Sequence, residues 1–280
     1  MFARIQNSWA LIKASAAVLR ADKELIVFPI ISSVVLLIVT ASFGLPMALT
    51  GFFDTLKEGP AQVLGIVLGF LFYVVQYTII FFANTALVGA ALIRLRGGDP
   101  TVKDGLDIAT KRFGAILGYA LIAATVGMIL RWVSQRAGFL GQIVSVIGGL
   151  AWNLATYLVV PVLAVEGLGP GEAIKRSAGL LKKTWGEQIV GNFGLGLLFG
   201  LLALAVALVV VPLLIAAAAA ESLALIVVVI LVAILIFVFL GLISSTLQGI
   251  YVAAVYRYAA EEQVGGFFSE EMVRQAFRQK

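Results

Sequence analysis

The chain alternates between long apolar blocks and short polar stretches. Six blocks cover residues 25–49, 61–93, 113–130, 139–165, 189–215 and 222–256, and none contains Lys, Arg, Asp or Glu. An α-helix rises 1.5 Å per residue, so about 20 apolar residues cross the hydrocarbon core of a bilayer. The pattern predicts an all-α, polytopic membrane helix bundle with six transmembrane helices; the longer blocks imply tilt or protrusion. The chain is expected to form one unit: an N-terminal amphipathic helix in 1–24, the bundle in 25–256 and a tail in 257–280. Residues 50–60 (with Gly51, Gly59 and Pro60), the polar stretch 131–138 and the run 216–221 are expected to be tight hairpins.

The polar stretches between hairpins carry a second periodicity. Phe2, Ile5, Trp9, Ile12, Ala16 and Leu19 recur at spacings of three and four, as do Val102, Leu106, Ala109 and Phe113, and then Ile174, Ala178, Leu181 and Trp185. Each stripe predicts an amphipathic helix lying in the interface, with Trp9 at headgroup depth. The basic residues beside the stripes are Lys13 and Arg20, then Lys103, Lys111 and Arg112, then Lys175, Arg176, Lys182 and Lys183. Thr101 and Asp104 have the spacing of a capping box. A weaker stripe in the tail comprises Phe268, Met272 and Ala276. Two readings follow. These are elbow helices that only pack before each span, or they form a docking surface for anionic lipid headgroups or a cytoplasmic partner.

The second and third stripes superpose at a spacing of 72: Val102 on Ile174, Leu106 on Ala178, Ala109 on Leu181, Phe113 on Trp185. Lys103 and Lys111 fall on Lys175 and Lys183, and Asn84 and Asn153 lie 69 apart. A unit of one elbow helix and two spans, used three times in parallel, accounts for this spacing.

Composition changes the picture by what it removes. Of 280 residues, 61% are hydrophobic and 12% charged, about half the charged share of a soluble domain. With no cysteine and no histidine, disulfides, the usual zinc sites and Ser-His or Cys-His nucleophiles are excluded. Charge then sets orientation. One side collects Arg4, Lys13, Arg20 and Lys23; Arg94, Arg96, Lys103, Lys111 and Arg112; Lys175, Arg176, Lys182 and Lys183; and Arg257, Arg274, Arg278 and Lys280. The other has Lys57, Arg131 and Arg136, the remaining 3 of the 20 basic residues. The positive-inside rule then places both termini in the cytoplasm and the chain in the cytoplasmic (inner) membrane. Arg4, Lys13 and Arg20 interrupt the first twenty residues, so a cleavable signal is not expected there.

Within the blocks the polar residues are amides and hydroxyls. Asn84, Asn153 and Gln248 lie ~13, ~18 and ~12 Å from the cytoplasmic ends of their helices. They are read either as interhelical hydrogen-bonding groups or as a polar cluster for a small neutral or lipid-like solute. The lack of charge within the blocks argues against an ion-coupled carrier. Gly65/Gly69, Gly114/Gly118 and Gly196/Gly200 have the spacing of close helix contacts, and Pro29, Pro46, Pro161 and Pro212 are expected to kink or end helices. No phosphate loop, dinucleotide fingerprint or nucleophile elbow is present, and Asp99, Asp104, Asp107, Glu166 and Glu172 each lie near basic residues. No cofactor, metal, catalytic residue or nucleic-acid partner is expected.

The pattern Asn7-Ser8-Trp9-Ala10, Asp22-Lys23-Glu24-Leu25, Phe28-Pro29 resembles the opening of a family of uncharacterised prokaryotic six-span membrane proteins. More distantly it resembles the membrane portion of glycerophosphodiester phosphodiesterases, whose hydrolase portion has no counterpart here. The first resemblance implies a six-span fold and no transferable site. The expected function is non-enzymatic: organising the membrane or scaffolding a cytoplasmic or membrane partner, with homo-oligomers included. The alternative is permeation of a small neutral or lipid-like solute.

Overall fold

The computed structural model describes residues 2–49, 59, 61–136, 138–185, 193–263 and 266–268; side chains are described from Ile12 onward, except at 183–185, 193, 194 and 197. The described residues form helices α1 (Phe2–Ala21), α2 (Val27–Leu49), α3 (Ala61–Leu95), α4 (Val102–Lys111) and α5 (Phe113–Arg136). They continue with α6 (Gly138–Ala155), α7 (Val159–Glu166), α8 (Pro170–Trp185), α9 (Phe193–Ala219) and α10 (Leu223–Glu261). A 3-10 turn at Lys23–Ile26 joins α1 to α2. Six segments are long and apolar enough to cross a membrane: Lys23–Leu49, Ala61–Leu95, Phe113–Arg136, Gly138–Glu166, Leu198–Ala219 and Leu223–Glu261. The chain is thus a multi-pass helical membrane protein. The order of short helix and hairpin occurs three times: α1 before α2–α3, α4 before α5 to α7, and α8 before α9–α10.

α3 is the central helix, touching α2, α4, α5, α7 and α10. The core gathers at one end of the bundle, here termed the base. It holds Val18, Leu25 and Phe28, then Leu87 and Leu92 of α3, Ile116 of α5, Leu158 and Leu163, and Ile250 of α10. The short helices α1, α4 and α8 all pack at this end. α4 rests on α3 through a close backbone approach: a Cβ added at Gly105 would lie 2.7 Å from the carbonyl oxygen of Ala86. Ile108 in turn covers Gly89, and Leu87 covers Gly249 of α10. Glycine permits these approaches because it has no side chain to displace.

Two expected connections are largely helical instead. Residues 131–136 complete α5, because none of them breaks a helix and polarity alone does not end one. Arg136 sits over the Trp132 ring one turn back, 5.3 Å from its centroid. The alanines 216–219 complete α9, as the best helix-forming residue should; the turn falls at Ala220 and Glu221, where Glu221 takes a positive φ of 49°. Ser222 then caps α10 by accepting from the Leu225 N–H. The expected hairpin over 50–58 lies outside the described residues.

The fourth block differs in the opposite sense, being two helices with a turn at 156–158. Pro161 has no N–H for the Tyr157 carbonyl, and its ring would collide with that carbonyl in a continuous helix. At the third position of α7 the proline is harmless. Pro46 and Pro212, by contrast, lie inside continuous helices.

The expected role of the paired glycines is also corrected. A Cβ at Gly69, Gly114, Gly196 or Gly200 would meet nothing within 4 Å, whereas one at Gly118 would lie 2.9 Å from Pro170. Other close contacts between helices are made by Gly89, Gly105, Gly148 and Gly249, which have no such spacing.

Candidate functional site

At the base, the short helices turn one face inward and their charges outward. α8 buries Ala173, Ser177, Leu180 and Leu181 while Lys175, Arg176 and Lys182 are exposed. α4 buries Gly105 and Ala109 and exposes Lys103 and Lys111. In α1 the inward residues are Ile12, Ala14, Ser15 and Val18, with Lys13 and Arg20 exposed. That face is rotated from the expected stripe, and Ala16 and Leu19 are half-buried at its edge. The side chains of Trp9, Lys183 and Trp185, and the tail positions Met272 and Ala276, lie outside the described residues. Phe268 is buried against the core.

Arg176 and Arg112, both predicted contact residues, are engaged by the protein itself. Arg176 donates through Nε to both Glu166 oxygens, at 3.0 and 2.9 Å, and Glu166 also accepts from the Tyr256 hydroxyl at 3.0 Å. Arg112 is half-buried, with its guanidinium against Gly167, which takes a positive φ of 68°. Further ion pairs tie the base together: Arg94 joins buried Asp22 at 3.1 Å and also Asp99, and Glu261 joins Arg96 and Arg257. The Glu24 carboxylate accepts from the Val102 N–H at 3.0 Å, fastening the start of α4 to the turn before α2. Asp99 and Glu166, which the sequence places near basic residues, each pair with an arginine, Asp99 while remaining 92% exposed.

Thr101 and Asp104 form the capping box that their spacing predicts: Thr101 Oγ1 accepts from the Asp104 N–H, and the Asp104 carboxylate accepts from the Thr101 N–H at 2.8 Å. The Thr101 hydroxyl and N–H, with Lys103 nearby, hold the Asp104 carboxyl below its usual pKa range.

The turn at 156–158 has its own support. The Leu158 N–H donates to Ser177 Oγ at 2.9 Å, and both residues are fully buried. The Thr156 hydroxyl donates to the Trp152 carbonyl at 2.8 Å. Ser177 thereby satisfies a backbone group that the break leaves without a helical partner. Residue type alone did not single out Ser177; its place on the inward stripe of α8, four residues from Ala173, was the available signal.

The three intramembrane amides differ in their surroundings. Asn84 is half-buried, while Asn153 and Gln248 are exposed. Gln248 donates to Ser244 on its own helix at 3.0 Å. The amide that does bridge helices is Gln76, which donates to Thr40 of α2 at 2.8 Å. Along α3, Phe72, Tyr73, Tyr77 and Phe81 form a run of ring contacts that begins at Phe43 of α2 and ends at Tyr119 of α5, with centroids 4.5–6.3 Å apart. At its far end Arg131 donates to the Tyr73 hydroxyl at 2.9 Å.

Residues 63–267 match the model of a family of unknown function, DUF6159, and the chain belongs to that family. The membership agrees with the resemblance to an uncharacterised family, although the N-terminal pattern that suggested it precedes the matched region. Nothing supports kinship with glycerophosphodiester phosphodiesterases. A search of curated proteins finds no match.

Proposed function

We propose that this member of the DUF6159 family is a non-enzymatic protein of the cytoplasmic membrane that organises anionic lipid around its base, which faces the cytoplasm. One observation carries the reading: three short helices at one end sink one face into the core and leave Lys13, Arg20, Lys103, Lys111, Lys175 and Lys182 exposed. Orientation follows from the charge asymmetry of the sequence, with seventeen of the 20 basic residues in the segments expected on one side. A lysine near an anionic leaflet contributes about 1 kcal/mol, so several on one rim select acidic headgroups without a deep pocket. Such a rim also suits an acidic protein partner. A passage for a neutral solute built on Asn84, Asn153 and Gln248 draws no support from their placement.

The test is electron spin resonance on protein reconstituted in phosphatidylcholine vesicles carrying spin-labelled phosphatidylglycerol. The reading expects the protein to immobilise phosphatidylglycerol in preference to spin-labelled phosphatidylcholine. It expects that preference to fall in the combined variant Lys103→Gln, Lys111→Gln, Lys175→Gln, Lys182→Gln, and on raising salt. Equal preference in the wild type and the variant would overturn it.

A further inference from the structure

The bundle opens into grooves, two of them away from the base. One between α9 and α10, about 510 Å³, is lined only by aliphatic residues, from Leu202 to Leu240. Another, about 300 Å³, lies between α2, α3 and α4 and holds two hydroxyls, Ser32 and Thr78, as its polar groups. The third and largest of these, about 720 Å³, separates the far halves of α2 and α3. Phe43, Gly44 and Met47 form one wall and Gly69 and Phe72 the other, and Arg131 stands at the rim. Its size falls within the ~300–1,000 Å³ of small-molecule sites.

We propose that this third groove binds an anionic phospholipid, with the phosphate held by Arg131 and one acyl chain lying along the glycine-bearing walls. The charge argues for an anion. Among the described residues, Arg131 is the one charged group lining any of the three grooves, and no carboxylate pairs with it. Its polar partner there is the Tyr73 hydroxyl, an acceptor that leaves the other guanidinium donors available and has its own proton to offer. A planar fork of donors suits a phosphate better than a point charge does. The depth argues for a headgroup. Arg131 is eighteen residues into α5, ~27 Å from its start at the base, close to one hydrocarbon thickness. In the orientation proposed above, this is the outer leaflet.

The walls argue for a chain beneath the head. A Cβ at Gly44 or Gly69 would meet nothing within 4 Å, so these glycines widen the groove and do not bring helices together. The Gln76–Thr40 hydrogen bond ties α2 to α3 next to the groove, and Thr40 lines it. α2 and α3 are thus fastened at the groove rather than free to close it.

The experiment uses the full chain in phosphatidylcholine vesicles containing a trace of photoactivatable phosphatidylglycerol, or of the matching phosphatidylcholine, with adducts mapped by mass spectrometry. The expected result is adducts at groove residues such as Phe43 and Met47, favouring phosphatidylglycerol by about tenfold, as charge-assisted hydrogen bonds allow. Arg131→Gln should reduce the phosphatidylglycerol adduct to the phosphatidylcholine level. Gly69→Leu, whose Cβ has open space and whose side chain would occupy part of the groove, should remove both. The four-lysine variant of the base should leave the groove adducts unchanged, so this site and the base reading stand or fall separately. Equal labelling by the two lipids, or adducts that persist in Gly69→Leu, would overturn the proposal. A crosslink between two copies in place of the lipid adduct would assign the groove to a second chain.

Discussion

Along α10, Ile250 is fully buried, whereas Phe239 on the same helix is 60% exposed. α3 divides in the same way, with Leu87 at 1% and Val67 at 47%. The two halves of the molecule have similar apolar residues and very different packing. In water both would collapse inward. In a bilayer an apolar side chain gains little by leaving lipid for protein, so helices associate where shape, hydrogen bonds and charges add something. The base has all three: glycines that admit backbone contact, the Ser177–Leu158 bond and the ion pairs around Arg94, Glu166 and Glu261. The far half has ring contacts and the Gln76–Thr40 and Arg131–Tyr73 bonds, and it opens into grooves.

The contrast can be broken first by cavity making. Ile116→Ala should cost about 2–5 kcal/mol, because its neighbours at the base cannot collapse onto the void. Leu208→Ala, 67% exposed on α9, should cost under about 0.5 kcal/mol. Thermal unfolding in detergent, followed by tryptophan fluorescence, compares them; equal losses would mean that the halves are equally packed.

Glycine substitution gives the next effect. Gly105→Ala forces a Cβ against the Ala86 carbonyl and the Phe28 ring and should cost about 1–3 kcal/mol. Gly69→Ala, facing open space, should be neutral or stabilising by up to about 1 kcal/mol from helix propensity. Reversal of that order in the same assay would refute the assignment of the close contacts.

Ser177→Ala isolates the break in the fourth span. It strands the buried Leu158 N–H and should cost about 1–3 kcal/mol, with faster hydrogen exchange at 156–159. Unchanged exchange there would show that the turn does not depend on α8.

Much of this architecture is legible in the sequence, for a physical reason that also marks where reading stops. Hydropathy reports whether a side chain prefers an apolar solvent, so the six blocks emerge directly, and 61–93 differs from α3 by two residues at one end. It does not report whether that solvent is lipid or a neighbouring helix. For this reason Asn84, Asn153 and Gln248, similar in depth by count, differ in exposure, and glycine spacing pointed to Gly69, Gly196 and Gly200, which face open space, while Gly105 and Gly249 went unnoticed. The break at 156–158 needed the proline and its distant partner Ser177 together. Arg131 counted in the sequence only as one of three basic residues on the sparse side, because nothing local marks the groove it meets.

The smallest effect is electrostatic. The Asp104 carboxyl has its pKa lowered in the fold, so the capping box stabilises α4 above the ordinary aspartate range near ~3.9, and that contribution is lost as pH falls through the lowered value. Hydrogen exchange over 101–111 should therefore quicken in acid in the wild type and be already fast, with a flatter pH response, in Asp104→Asn. An identical pH profile in the two proteins would remove Asp104 from the cap.

The central claim is that the packed, cation-bearing base faces the cytoplasm and the open half faces outward. The chain has no cysteine, so a single cysteine introduced at Arg136 or at Lys182 reports its side of the membrane without background. In intact cells an impermeant maleimide should label Arg136→Cys and should reach Lys182→Cys only after the membrane is opened. Labelling of Lys182→Cys in intact cells, with Arg136→Cys protected, would contradict the account.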